Sequence, residues 1–227
     1  MGSTQYVTKC LRALPAKLQF IGEVFMNQQE LTALTEAVLG RIFVPLEASG
    51  RHVHITKEQA VTLFGHALTP KRPLSQPGQF LANERVAVVG PKGRFEHVAV
   101  LGPERREGQV ELSLTDARAL GITVPVRLSG DVTETPGATL VGSHGMVKLS
   151  EGVIAARRHI HLSPREAENF GVTDGQSVRL RTYTERPVTF ENVVVRVHPS
   201  FSAAVHLDFD EANACGFRQG DLGRIES

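Results

Sequence analysis

A five-residue pattern is written twice in this chain, as Arg-His-Val-His-Ile at residues 51–55 and as Arg-His-Ile-His-Leu at residues 158–162. In an extended strand, residues two apart point to the same face, so the two histidines of each copy would lie side by side. Paired imidazoles on one strand face are a metal-binding arrangement. The sequence therefore predicts two such strands. The four candidate ligands are His52, His54, His159 and His161.

Both copies continue with the start of a short helix. Thr56 and Ser163 are hydroxyl N-cap residues, and each has Gln or Glu three positions later, which makes a capping box. Gly65 and Gly171 then stand where a glycine can take the left-handed conformation that closes a helix. The repeated unit is a strand with two histidines, a capped helix and a glycine stop.

A weaker similarity downstream adds one more candidate ligand to each half. When residues 102–121 are aligned with residues 198–216, Glu111 falls opposite His206. Each half then offers two histidines from one strand and one further ligand from a later strand. This inventory is what a duplicated barrel with one metal site per half would give.

The other strand and helix signals indicate a mainly β fold. Helices ending in glycine are predicted before Ile122, Val172 and Phe217, and short β-branched strands alternate with them. A parallel α/β sheet would need longer crossover helices. We therefore predict two small β-barrels capped by short helices and related by internal duplication.

The sequence predicts a strand that contains the first histidine pair and a loop downstream of it. One continuous strand is expected over residues 44–55. A loop is expected over residues 71–80, where Pro73, Pro77 and Gly78 fall.

The N-terminal region divides into two parts. Residues 1–27 show no sustained hydrophobic period and are interpreted as an irregular leader. Apolar residues from Leu31 to Ile42 recur three or four positions apart, which predicts an amphipathic helix over residues 28–42. Such a helix could pack on its own domain or dock onto a partner.

Composition excludes several classes of function. The net charge of +1, from 25 basic and 24 acidic residues, argues against a nucleic-acid or anionic-membrane surface. Cys10 and Cys215 are the only cysteines, so a disulfide framework and a cysteine-built zinc site are both excluded. No apolar run is long enough to cross a bilayer, and a cytoplasmic protein is expected. Nucleotide-binding and nucleophile-elbow motifs are absent, so chemistry should fall to the metal groups and to arginines.

Two carboxylates near the histidines have competing interpretations. Glu58 completes the spacing of the first cupin motif, but it falls in the first turn of a capped helix and no second cupin motif follows. Asp208 could orient an imidazole from behind, or be a solvated edge carboxylate. The remaining histidines, His66, His97, His144 and His198, are interpreted as ordinary surface or hydrogen-bonded residues.

Together with the two Arg-His-x-His copies, four further segments resemble the PduL family of phosphate propanoyltransferases. These are phosphotransacylases associated with bacterial microcompartments. The resemblance covers the chain from Val44 onward and departs at Gly50, where the family more often has Asn. The four segments are residues 71–80, 101–105, 109–113 and 129–131.

The resemblance implies a reversible reaction in which acyl-CoA and phosphate give acyl phosphate and free CoA. It implies two β-barrels around a di-zinc site, with the first strand swapped. Residues 51–156 would form the central barrel, and residues 43–50 with 157–227 the second. Propanoyl-CoA is the expected acyl donor.

The resemblance also implies roles for single residues and for partners. Arg105 would hold phosphate. A homodimer is expected, with the helix at residues 28–42 directing the chain to shell or cargo proteins of a microcompartment. The implied ligands are His52, His54 and Glu111 for one zinc, and His159, His161 and His206 for the other.

The sequence leaves three alternative functions open. The first is direct attack of phosphate on the thioester, without an acyl-enzyme. The second is a metal-stabilised binding module, which predicts ligand sets closed by four protein groups. The third is a metal-dependent thioester hydrolase, which would not need phosphate.

Overall fold

The computed structural model describes residues 27–226. Apart from Asn27, the predicted leader at residues 1–27 lies outside the described residues. Within the described part of the chain, no helix is long and apolar enough to cross a membrane.

The described residues form five helices and fifteen strands. Those of the first half are α1 (Gln28–Leu39), β1 (Val44–Ser49), β2 (His52–His54), α2 (Lys57–Phe64), β3 (Pro70–Pro73), β4 (Phe80–Val89), β5 (Arg94–Gly102), β6 (Gln109–Leu112), α3 (Leu114–Leu120), β7 (Val126–Arg127), β8 (Thr139–Val141), β9 (Met146–Lys148) and β10 (Val153–Ala156). Those of the second half are β11 (His159–Leu162), α4 (Pro164–Phe170), β12 (Ser177–Tyr183), β13 (Thr189–Val197), β14 (Ala204–Asp208), α5 (Phe209–Cys215) and β15 (Leu222–Glu226).

The strands form two separate sheets, which confirms the predicted mainly β fold. One is a closed six-stranded barrel in the order β1, β14, β11, β13, β12, β15. The other is a nine-stranded sheet in the order β7, β10, β6, β2, β5, β4, β8, β9, with β3 paired to β4. Each sheet encloses its own apolar core, with Leu63 and Leu140 buried in the nine-stranded half and Ile160 and Leu180 in the barrel.

Strand pairing shows the internal duplication directly. In the first half, β2 pairs in parallel with β5 and antiparallel with β6. In the second half, β11 pairs in parallel with β13 and antiparallel with β14. The two strands that carry the histidine pairs therefore have equivalent neighbours on both sides.

The segment at residues 44–55 is not one continuous strand, because its two ends belong to different sheets. β1 pairs with β14 and β15 in the barrel, where Val44 and Leu46 join the apolar core. The chain then turns at Gly50 and Arg51, and β2 enters the nine-stranded sheet. Residues on the two sides of this turn are therefore buried in different cores.

The caps and stops predicted for the short helices are present. Thr56 and Ser163 each form a capping box at the start of a helix. α2 and α4 end at Gly65 and Gly171, whose φ angles of 81° and 65° lie in the left-handed region. α3 and α5 also end at a left-handed glycine, so four helices share this stop.

The predicted N-terminal helix is also present, and it ends earlier than residue 42. Asn27 caps α1 with a complete capping box, and Gly40 follows its last turn. None of its residues is buried. Leu34 and Val38 are 50% and 49% exposed, so the apolar stripe of α1 is open to solvent.

Replacing Gly171 with alanine should lower the free energy of unfolding by about 1 kcal/mol, the cost of a left-handed conformation with a Cβ. An added Cβ would meet no heavy atom within 4 Å, so only the backbone penalty is expected. Urea unfolding of the purified variant measures the loss. Gly171→Asn is the control and should lose less, because Asn tolerates this conformation. Equal stability of the alanine variant and the unchanged protein would contradict the assignment.

Candidate active site

The first three candidate ligands are brought together by β2 and β6. His52 lies opposite Glu111 in the antiparallel register. The Nε2 atoms of His52 and His54 lie 3.5 and 3.7 Å from the Glu111 carboxylate oxygens. All three side chains are buried. These residues form cluster 1, defined as His52, His54 and Glu111.

Hydrogen bonds fix which ring nitrogens of cluster 1 face inward. Nδ1 of His52 donates to the carbonyl oxygen of Gly50 at 2.8 Å, and Nδ1 of His54 donates to that of Leu101 at 3.2 Å. Because a carbonyl only accepts, each Nδ1 carries the hydrogen in the neutral ring. In the neutral ring, each Nε2 therefore carries the lone pair, and it faces the carboxylate.

The other three candidates form cluster 2, defined as His159, His161 and His206. His159 lies opposite His206 in the β11–β14 register, and their rings stack with centroids 5.0 Å apart. Nδ1 of His159 donates to the Arg157 carbonyl oxygen at 2.8 Å, which repeats the bond made by His52. Both nitrogens of His161 and Nε2 of His206 are buried without a hydrogen-bond partner among the described residues.

The two clusters differ in charge. Burial, followed by the neighbouring imidazoles and Arg196, lowers the pKa of His161 to about 2, and burial is also the main cause that lowers the pKa of His159 to about 3. Burial lowers the pKa of His206 to about 4. Cluster 2 is thus neutral at pH 7, which is the form that metals bind.

Cluster 1 carries a buried carboxylate. Burial alone would raise the pKa of Glu111, but the adjacent imidazoles of His52 and His54 hold it well below its usual range. Burial, then the charge of His52, lowers the pKa of His54. Burial alone would lower the pKa of His52, but the charge of Glu111 and its hydrogen bond raise it, so cluster 1 couples a buried carboxylate to its two imidazoles.

Arg105 is tied to cluster 1 through Ser129. Its guanidinium donates to the Ser129 hydroxyl oxygen at 2.9 Å, and Gln109 donates to the same oxygen at 2.9 Å. Gln109 also donates to the Glu111 carboxylate. Its side-chain oxygen accepts from the backbone N–H of Gly130 at 2.8 Å, which anchors the network.

A second guanidinium, not predicted from the sequence, comes from the barrel. Arg196 lies on β13 beside His161 in the parallel register, and its guanidinium carbon is 5.9 Å from the Phe201 ring centroid. Burial lowers the pKa of Arg196, and the charge of Glu111 opposes that shift. No local sequence signal marks this residue, since the register between β11 and β13 brings it to the site.

The arginine that precedes each histidine pair forms an ion pair that stabilises the arrangement of its own cluster. Arg51 forms a two-point ion pair with Asp116 on α3, at 2.9 and 2.8 Å. Arg158 contacts Glu211 on α5 at 2.8 Å. Each helix directly follows the strand of the third ligand, so these ion pairs hold that strand beside the histidine pair.

All predicted site residues line one cleft of about 510 Å³ between the two halves. Arg196, Ser129 and Gln76 line it as well. Glu111 also acts electrostatically on all three histidines of cluster 2, which reflects how close the clusters are. The seven predicted residues that line the cleft are His52, His54, Arg105, Glu111, His159, His161 and His206.

Neither competing carboxylate orients an imidazole. Asp208 accepts from the backbone N–H of Glu211 at 2.8 Å and caps α5, while burial raises its pKa to about 6. Glu58 lies exposed in the first turn of α2, as the sequence predicts, and its carboxylate accepts from the Thr56 hydroxyl at 2.7 Å.

Two similar β halves that bring buried imidazoles, a carboxylate and two guanidiniums into one cleft have the architecture of an enzyme. A family model described as phosphate propanoyltransferase matches residues 45–218. The chain belongs to the phosphate propanoyltransferase family, whose members are acyltransferases. The resemblance found in the sequence is thereby confirmed.

Proteins from several bacteria are similar to this one over most of the chain. A phosphate propanoyltransferase of Listeria monocytogenes is 48% identical over 206 residues, covering 88% of this chain and 97% of the relative. One from Leptotrichia buccalis is 51% identical over 183 residues, covering 80% and 87%. One from Thermotoga maritima is 48% identical over 177 residues, covering 77% and 84%.

Proposed function

We propose that this chain transfers a propanoyl group reversibly between CoA and inorganic phosphate at a site that holds two zinc ions. The observation that carries the proposal is the meeting of two buried ligand clusters and two guanidiniums in one cleft. The names of the relatives support the acyl donor and acceptor. We also propose the domain limits expected above, with residues 51–156 as one barrel and residues 43–50 with 157–227 as the other.

The clusters fit metal ions on chemical grounds. Burying imidazole nitrogens without partners is costly unless something binds them, and His161 and His206 bury three such atoms. Imidazole-rich sets of three suit zinc and leave a coordination position for substrate. Cluster 1 would hold one ion and cluster 2 the other. When bound, the ions would act as Lewis acids that stabilise charge on the thioester oxygen and the leaving thiolate.

The arginines supply the phosphate site. Arg105 and Arg196 are both partly buried, so their charges are less screened than those of exposed arginines and favour a dianion between them. Ser129 fixes the guanidinium of Arg105, which lowers the cost of ordering it on binding. These two residues would orient a phosphate oxygen and temper its repulsion from the phosphates of CoA.

The reaction is proposed as a single displacement at the thioester carbonyl carbon. A phosphate oxygen attacks, the C–S bond breaks, and CoA leaves as the thiolate with the acyl group on phosphate. Cys215 is excluded as an acyl carrier because it is fully buried and burial raises the pKa of its thiol. Trapping of an acylated side chain during turnover would contradict this route.

The decisive experiment follows CoA release from propanoyl-CoA, with and without phosphate, before and after chelation, alongside metal content. We expect phosphate-dependent release that is lost on chelation and restored by zinc. Release independent of phosphate would favour the hydrolase. No release from any acyl-CoA, with metal still bound, would favour the binding module.

The assembly and location expected from the family are also proposals. The solvent-open stripe of α1, with Leu34 and Val38 exposed, supports a docking helix for shell or cargo proteins of a bacterial microcompartment in the cytoplasm. A homodimer is proposed with it. Sedimentation of the purified chain, with and without residues 1–42, tests the homodimer and shows whether the helix is needed for it.

A further inference from the structure

Three acidic residues line the cleft, and only two have a role so far. Glu111 belongs to cluster 1, and Asp208 caps α5. The third is Glu47, on the barrel strand β1. Its side chain is 28% exposed and faces the same cleft as both clusters.

Strand register places Glu47 beside cluster 2. β1 and β14 run in parallel, with Glu47 opposite His206, so the two side chains share a face. The carboxylate oxygen Oε2 of Glu47 lies 3.6 Å from Nε2 of His206. That nitrogen is buried and has no hydrogen-bond partner among the described residues.

A hydroxyl from the opposite side of the cleft holds the carboxylate. Ser75 Oγ donates to Glu47 Oε2 at 2.7 Å. Ser75 lies in the loop between β3 and β4, and the next residue, Gln76, anchors that loop to the barrel. The Gln76 amide donates to the Ser202 carbonyl oxygen at 3.0 Å and accepts from the Ser202 N–H at 3.3 Å. Ser75 therefore holds Glu47 next to cluster 2 rather than within it.

These contacts give Glu47 two possible partners. A set of three neutral histidines leaves a metal a free coordination position, and carboxylate oxygens are good zinc ligands. Phosphate would bind in the same part of the cleft. A carboxylate there would repel the phosphate and would compete with it for the free coordination position of the metal. The hydroxyl of Ser75 offers the carboxylate an alternative hydrogen bond of ordinary strength.

We propose that Glu47 is a fourth, displaceable donor to cluster 2. It closes the site when phosphate is absent and is held by Ser75 when phosphate binds. This inference rests on the proposed function, since it assumes a zinc ion at cluster 2. Glu47 is thus a residue that sets phosphate affinity, separate from the guanidiniums that hold phosphate.

Two substitutions test the inference in opposite directions. In calorimetric titration of metal-free protein, Glu47→Gln should weaken one of two zinc sites by about tenfold or more. Inorganic phosphate should then bind the zinc-loaded variant at least about fivefold more tightly, the effect of removing one charge at about 4 Å even in bulk water. Ser75→Ala frees the carboxylate, so zinc should bind more tightly and phosphate more weakly.

Glu168→Gln is the matched control, because Glu168 is an exposed carboxylate on α4 outside the cleft. It should change neither affinity. The inference is overturned if Glu47→Gln leaves both zinc and phosphate binding unchanged, or if Ser75→Ala shifts phosphate binding in the same direction as Glu47→Gln.

Failure of the proposed function would look different. If the protein without substitutions binds two zinc ions but releases CoA in the absence of phosphate, the transferase is rejected. The opposite effects of Glu47→Gln and Ser75→Ala on zinc affinity could still be measured in that case. Unchanged protein that binds no zinc would overturn both proposals.

Discussion

Replacing His159 with alanine is expected to lower kcat/KM for phosphate-dependent CoA release by at least about 10²-fold, as for other losses of a preorganised charge-stabilising group. The substitution removes one ligand of cluster 2 and the stacking partner of His206. Bound zinc should fall from two ions per chain to one. Steady-state kinetics and metal analysis of the same preparation measure both effects.

His144→Ala is the control for this substitution, because His144 is exposed and lies outside both clusters. It should keep two zinc ions and full activity. A His159→Ala variant with two bound zinc ions and unchanged kinetics would show that cluster 2 does not serve the reaction. A thermal melt excludes unfolding as the cause of any loss.

Replacing Arg105 with alanine is expected to lower kcat/KM for phosphate by about 10²-fold or more, with a smaller change in KM for propanoyl-CoA. The variant loses a partly buried guanidinium that Ser129 holds near Glu111. Arg105→Lys should recover only part of the loss, because lysine keeps the charge but lacks the two-point fork. Initial rates over a range of phosphate concentrations give the result.

The neighbouring Arg106 provides the matched control. It is exposed and differs from Arg105 by one position in the chain, so Arg106→Ala should retain the phosphate dependence. Equal losses in the two alanine variants would indicate a general electrostatic effect rather than a phosphate contact. An Arg105→Ala variant with normal phosphate dependence would remove Arg105 from the proposed site.

Local signals made much of the fold predictable from the sequence. Capping boxes at Thr56 and Ser163 and glycine stops at Gly65 and Gly171 depend on residues within a few positions of one another. Because the sequence is duplicated, the same local signals predict the same elements in both halves. The duplication also aligned Glu111 with His206, and both are paired with histidine strands in the structure.

Predictions that depended on which strand pairs with which were less successful. The strand expected over residues 44–55 is divided, because hydrophobic alternation cannot reveal that its two ends enter different sheets. The loop expected over residues 71–80 begins with β3, since β4 offers a pairing edge even to a proline-rich segment. For Asp208 the sequence leaves two interpretations open, an orienting group or a solvated edge carboxylate, and in the structure its carboxylate caps α5.

Arg196 and Glu47 were missed for a related reason. Arg196 stands in a run of valines on β13, and Glu47 stands between apolar residues on β1. Each reaches the cleft only through a parallel register with a histidine strand, His161 in one case and His206 in the other. Parallel partners are distant in sequence, so no local spacing could reveal them.

The position of β1 in the barrel has a consequence for how the protein is made. β1 lies between β14 and β15, the last two strands that the structure describes, yet it is synthesised before either histidine pair. A chain growing from the ribosome must therefore carry β1 unpaired until those strands emerge, and such non-local pairing is slow. Nascent chains that stop before His206 contain all three residues of cluster 1 but lack one residue of cluster 2. The complete cleft is thus available only to a chain that has been synthesised past β14 and β15.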